Sequence, residues 1–111
     1  MKFMVHGQPF SGLVTALVTP FTKSCTIDDE KLERLINWQI ENGVKGVLVL
    51  GGSGEYVSLT MKERIHAVKT AVKAAAGRIP VIAGVLEPGI GDAIEAAGLF
   101  RKAGASIPLV L

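Results

Sequence analysis

Apolar residues in this chain fall into two alternating patterns: short unbroken runs, and longer stretches with apolar positions three and four residues apart. The run Leu13-Val14-Thr15-Ala16-Leu17-Val18 predicts a first strand. It ends at Thr19-Pro20, because proline cannot donate to a central ladder. A helix follows from Asp28 or Asp29 to Asn42, with Leu32, Leu35, Ile36 and Ile40 on one face and Glu33, Arg34, Asn37 and Glu41 on the other. Its acidic start suits the positive end of the helix dipole, and Gly43 supplies the stop. Val47-Leu48-Val49-Leu50 reads as a strand buried on both faces. Thr60-Met61-Lys62-Glu63 has capping-box spacing and opens a second helix, whose apolar face is Ile65, Val68, Ala71, Val72 and Ala75. A third strand covers residues 80–86, and Asp92 is expected to cap a third helix carrying Ile94, Ala97 and Leu99 or Phe100. Trp38 and Phe100 read as helix-packing residues. Leu109-Val110-Leu111 is a fourth strand, weakened by Pro108.

The connections repeat. Gly43, Gly77 and Gly104 each end a helix a few residues before an apolar run. Residues 12–111 therefore read β-α-β-α-β-α-β behind an N-terminal tail, residues 1–11, in units of roughly 30 residues, the size of a right-handed parallel unit. Such an α/β chain is either a small doubly wound sheet or the first half of an eight-stranded barrel. A doubly wound nucleotide fold calls for a fingerprint after the first strand, yet neither GxGxxG nor GxxxxGK(S/T) occurs. Glycines cluster after the second and third strands instead, which favours the barrel, where functional loops follow several different strands.

Composition narrows the function. With 111 residues there is room for one core. Apolar residues make up 49% and aromatics 5%, so that core is aliphatic. The net charge of +2 is scattered, without the basic stripe of a nucleic-acid binder. Cys25 is the only cysteine and lies in a polar loop with no histidine near it in sequence, which excludes an intrachain disulfide and argues against a nucleophile. His6 and His66 lie some 60 residues apart with no carboxylate pattern tying them, so no metal site is expected. The N-terminal residues lack the apolar core of a signal peptide, and no run approaches the roughly 20 residues of a membrane helix. A soluble, cytoplasmic protein is the expectation.

The stretch with chemistry is Gly51-Gly52-Ser53-Gly54-Glu55, directly behind the second strand. Successive N–H groups in a glycine-rich turn form a concave anion site, and glycine lets the backbone approach closely. Ser53 adds a hydroxyl donor. A plain strand-to-helix turn has the same composition, so both readings stand on these residues alone. Glu55 is expected to hold the loop by accepting backbone hydrogen bonds. Tyr56 either lines the mouth or packs, and Gly84, Gly89 and Gly91 either border a pocket or serve turns.

Three stretches then carry a resemblance: Ala16-Leu17-Val18-Thr19-Pro20-Phe21; Gly51-Gly52-Ser53-Gly54-Glu55 with Leu59-Thr60; and Arg78-Ile79-Pro80-Val81-Ile82-Ala83-Gly84. With the step Lys102-Ala103-Gly104-Ala105, their order and spacing resemble the dihydrodipicolinate synthase / N-acetylneuraminate lyase family from about Gly12 onward. The resemblance implies a (β/α)8 barrel that forms a Schiff base between a lysine and pyruvate or a related 2-keto acid. It implies no cofactor and a homo-oligomer for the full-length form. A whole barrel needs roughly 250 residues, so this chain is expected to be its N-terminal half, inactive alone. The family's tyrosine pair and Schiff-base lysine would fall beyond Leu111; Lys31, Lys62, Lys69, Lys73 and Lys102 lie on outward helical faces. By the resemblance, Gly51, Gly52 and Ser53 bind the keto acid's carboxylate. Gly52 stands where the family often has threonine or serine, which puts the synthase reaction in doubt relative to sister aldolases and dehydratases. The competing reading is a non-catalytic half-barrel that serves binding or assembly.

Overall fold

A computed structural model describes residues 4–111 of the chain. Its first element lies inside the N-terminal tail: β1 (Met4–Val5) and β2 (Gln8–Pro9) form a small antiparallel hairpin. The connection is His6-Gly7, both with positive φ (50° and 75°), as a tight two-residue hairpin turn requires.

The main sheet follows, with β3 (Val14–Ala16), β4 (Gly46–Val49), β5 (Val81–Val85) and β6 (Ile107–Val110) alternating with α1 (Asp29–Glu41), α2 (Met61–Ala75) and α3 (Ile90–Lys102). The four strands are parallel and their spatial order is their chain order, β3-β4-β5-β6. A doubly wound sheet reverses its strand order so that helices cover both faces. Here the order never reverses, and right-handed crossovers then deposit every helix on the same face. This is the arc of a (β/α)8 barrel. Thr15 pairs in register with Val47 and Val47 with Val81, and this row faces the helices, where Thr15 Oγ1 donates to Gln39 Oε1 of α1 at 2.9 Å. The alternate row, Ala16, Leu48, Ile82 and Ile107, faces the other way.

The core lies between helices and sheet, with Leu32, Ile36, Val47, Val68, Ala71, Ala83, Val85 and Phe100 all buried. The capping box of α2 forms as read, from Thr60 and Glu63, and at the acidic start of α1 Asp28 caps the helix by accepting from the Lys31 N–H. Several expectations are corrected. The first strand is shorter than 13–18, for Leu13 and Val18 are exposed on either side of it. Gly89, not Asp92, caps α3, because the helix already begins at Ile90 and Asp92 sits within its first turn. Ile94 is 69% exposed and Ala96 takes its place in the core. Trp38 is 59% exposed rather than packed, whereas Phe100 is fully buried. Pro108 pairs with Ala83 inside β6, an outer strand of this sheet, where a missing N–H is tolerated.

Candidate functional site

The C-terminal ends of the strands carry the polar groups. Loop 51–55 leaves β4 as two overlapping turns, in which the Gly54 N–H donates to Gly51 O at 3.1 Å and the Glu55 N–H to Gly52 O at 3.0 Å. Among the described residues, the N–H groups of Gly52 and Ser53 and the Ser53 hydroxyl meet no acceptor, and both residues are exposed. They form an open shelf of donors at the edge of the sheet. Two concavities lie elsewhere: one at the opposite, N-terminal edge between the hairpin and α1 and α2, the other between the Cys25 loop and α2.

Three contacts fix this shelf. Thr19, buried behind β3, donates its hydroxyl to Gly54 O at 2.7 Å. Gly84 in β5 lies so close that a Cβ there would sit 2.3 Å from Leu50 O. Tyr56, just past the loop, is 1% exposed and donates its hydroxyl to Glu87 Oε1 at 2.7 Å. Gly54 also has no room for a side chain, since a Cβ would lie 2.9 Å from Leu50 N. Gly52 differs, with open space on all sides of a Cβ.

The glycines serve close approach rather than unusual dihedrals. The left-handed positions bracketing the loop belong to Leu50 (φ 61°) and Glu55 (φ 62°). A buried leucine in that region costs about 1–2 kcal/mol, which the packing around it must offset. Sequence reasoning gave no signal for this, since leucine favours ordinary strand dihedrals. Glu55 is corrected too: its carboxylate is exposed and accepts no hydrogen bond from the loop. Glu87 is instead the carboxylate with hydrogen-bonded partners here, accepting from Tyr56 and from Arg64 Nη1 at 2.9 Å. Gly84 borders the loop directly, while Gly89 caps α3.

Burial, and then the hydrogen bond to Glu87, push the Tyr56 phenol up from its ordinary 10.0 to about 12. The folded state keeps a proton that the unfolded chain loses, so this contribution to stability is complete below pH 10 and lost as pH rises toward about 12. Tyr56 is the chain's single tyrosine, so ultraviolet titration reads it alone. Phenolate absorbance is expected to appear near pH 12 in the folded chain and near 10 in denaturant; a folded-state midpoint near 10 would contradict this environment.

The remaining sequence candidates are dispersed. His66 Nε2 meets Asp29 Oδ1 at 2.8 Å on the surface, His6 Nε2 meets Ser106 Oγ at 2.9 Å, and Cys25 is exposed. Among the described residues no group of three or more His, Cys, Asp or Glu side chains is arranged to hold a metal. No helix there is long and apolar enough to cross a membrane. Lys31, Lys62, Lys69, Lys73 and Lys102 are all exposed on helices, and none lies on a strand.

Comparison with known proteins agrees with this architecture. The model of the dihydrodipicolinate synthetase family matches residues 9–111. A 4-hydroxy-tetrahydrodipicolinate synthase of Brucella abortus is 41% identical over 100 residues, which is 90% of this chain and 34% of that enzyme. The crystal structure of dihydrodipicolinate synthase from Aquifex aeolicus superposes with a TM-score of 0.85 at 39% identity, over 91% of this chain and 34% of that one. A chloride-inhibited dihydrodipicolinate synthase from Acinetobacter baumannii, solved with pyruvate, gives a TM-score of 0.86 at 34% identity, over 89% and 34% of the two chains. The chain thus spans about a third of the length of the curated relatives it matches. With a family match over nearly all its residues, the chain belongs to the dihydrodipicolinate synthetase family.

Proposed function

We propose that this chain contributes the carboxylate-binding part of a Schiff-base-forming lyase acting on pyruvate or a related 2-keto acid. The observation that carries the reading is the shelf of free donors, the Gly52 and Ser53 N–H groups with the Ser53 hydroxyl, at the C-terminal edge of a parallel sheet. A carboxylate there accepts charge-assisted hydrogen bonds and leaves its keto carbon oriented for attack by an amine. The pyruvate-bound Acinetobacter relative supports a keto acid as the ligand class. In this reading the imine-forming lysine and the tyrosine pair lie beyond Leu111, and no lysine of these residues takes that role. Gly52 brings no hydroxyl, which favours aldol cleavage or dehydration over the synthase reaction.

Titrating the 15N-labelled chain with pyruvate tests the reading. The Gly52 and Ser53 amides are expected to shift, and Ser53→Ala is expected to weaken binding by roughly tenfold, the worth of one hydrogen bond to a charged group. Pyruvate that moves neither amide would sink the assignment. Borohydride added with pyruvate is expected to leave the mass of the chain unchanged; a covalent adduct would mean that a lysine here is reactive after all.

A second reading, a half-barrel that assembles with a partner, rests on the exposure of Val110 in β6 and of Leu13 and Val18 beside β3. Unpaired outer strands invite pairing. A compact dimer on size-exclusion chromatography would favour it, and a monomer with cooperative melting would not.

A further inference from the structure

Tyr56 is held from three directions. Its ring stands edge-on to Phe100, with centroids 6.2 Å apart, and the Arg64 guanidinium lies 3.9 Å over its centroid. Its carbonyl accepts Arg64 Nε at 2.9 Å. Its hydroxyl and Arg64 Nη1 converge on one oxygen of Glu87, at 2.7 and 2.9 Å. The side chains of Arg64 and Glu87 are only 14% and 19% exposed, so the pair is fixed rather than solvent-averaged. Tyr56, Arg64 and Glu87 thereby close a ring of contacts joining the end of loop 51–55, the first turn of α2 and the chain just beyond β5.

We propose that Arg64 and Glu87 are positioning residues for the anion shelf: by locking Tyr56 they hold the Gly52 and Ser53 donors at the spacing a carboxylate requires. The proposal rests on the carboxylate reading above. Neither residue touches the ligand. The amino end of the loop is tied separately, where Leu50 meets Gly84, and Thr19 holds Gly54 between the shelf and Tyr56, so the clamp and Thr19 together fix the side on which Ser53 leads to Tyr56.

The two residues carry opposite charges, and that makes the proposal decidable. A long-range field on an anionic ligand predicts that Glu87→Gln tightens binding and Arg64→Gln weakens it. Positioning predicts that both weaken it. In the 111-residue chain, both variants are expected to lower pyruvate affinity on the order of tenfold and to speed exchange of the hydrogen-bonded loop amides of Gly54 and Glu55, with the core amides of Val47 and Ala83 unchanged. Opposite shifts in affinity, or unchanged affinity in both, would overturn the proposal. Should either variant unfold, Tyr56→Phe carries the test, since it removes one hydroxyl and keeps the ring. Weaker binding with an unchanged circular dichroism spectrum supports the clamp, and full affinity overturns it. Failure of the carboxylate reading shows separately, as a chain whose amides ignore pyruvate or as Ser53→Ala binding at full strength. In that event loop exchange alone decides: faster in both variants upholds the clamp, unchanged refutes it.

Discussion

Gly84→Ala is expected to destabilise the chain by about 3 kcal/mol or more, the upper range for an overpacked core. The new methyl carbon would sit 2.3 Å from Leu50 O, 2.8 Å from Leu50 C and 3.1 Å from Gly51 N. All three are backbone atoms of the neighbouring segment, so no side chain can swing away. Ala83 and Val85, on either side of Gly84, are fully buried and fix the strand in place. Relief requires β4 and β5 to separate at their ends, which carries Leu50 and Gly51 with them. The variant should therefore lose both unfolding midpoint and pyruvate response. Gly52→Ala is the matched control: nothing lies within 4 Å of its added carbon, and its midpoint should stay put. Equal midpoints for the two variants would show that the close approach at Gly84 is not rigid.

Phe100→Ala is the second large effect. The ring is 0% exposed, and the ring it stands against, Tyr56, is itself held by Glu87 and Arg64 and is not free to refill the space. The expected loss is about 3–5 kcal/mol, against a total of roughly 5–15 kcal/mol for a typical domain. Chemical denaturation should show a large share of the stability gone. Trp38→Ala, at an exposed position, is expected to change it by no more than about 0.5 kcal/mol. If the tryptophan variant proved the more damaging, the assignment of the core to the inner faces of the helices would be wrong.

The contrast between these two aromatics marks what the sequence makes legible. Strand and helix order followed from the runs and from glycines 43, 77 and 104, because turn chemistry and hydrophobic period agree at those points. Phe100 falls on the stripe of Ala96 and Ala103, while Trp38 lies nearly opposite the stripe of Leu32 and Ile36. Residue type reads both as packing residues; helical period separates them. The loop after β4 was visible from its glycines, but its anchors were not. Thr19, Arg64 and Glu87 are far apart in sequence and meet only through the sheet. Leu50 and Glu55 adopt left-handed dihedrals that their side chains do not favour, so tertiary packing decides them.

The unreversed strand order has a consequence for how the chain acquires its structure. Thr15 pairs with Val47, Val47 with Val81, and Ile82 with Ile107. Every ladder of the main sheet therefore closes a loop of a single β-α unit, and none waits for a distant segment. The entropy lost on closure varies only logarithmically with loop length, so these closures differ by roughly 0.3 kcal/mol. Each completed strand offers the next an equivalent edge, a topology that lets strands add one at a time in the order synthesis delivers them.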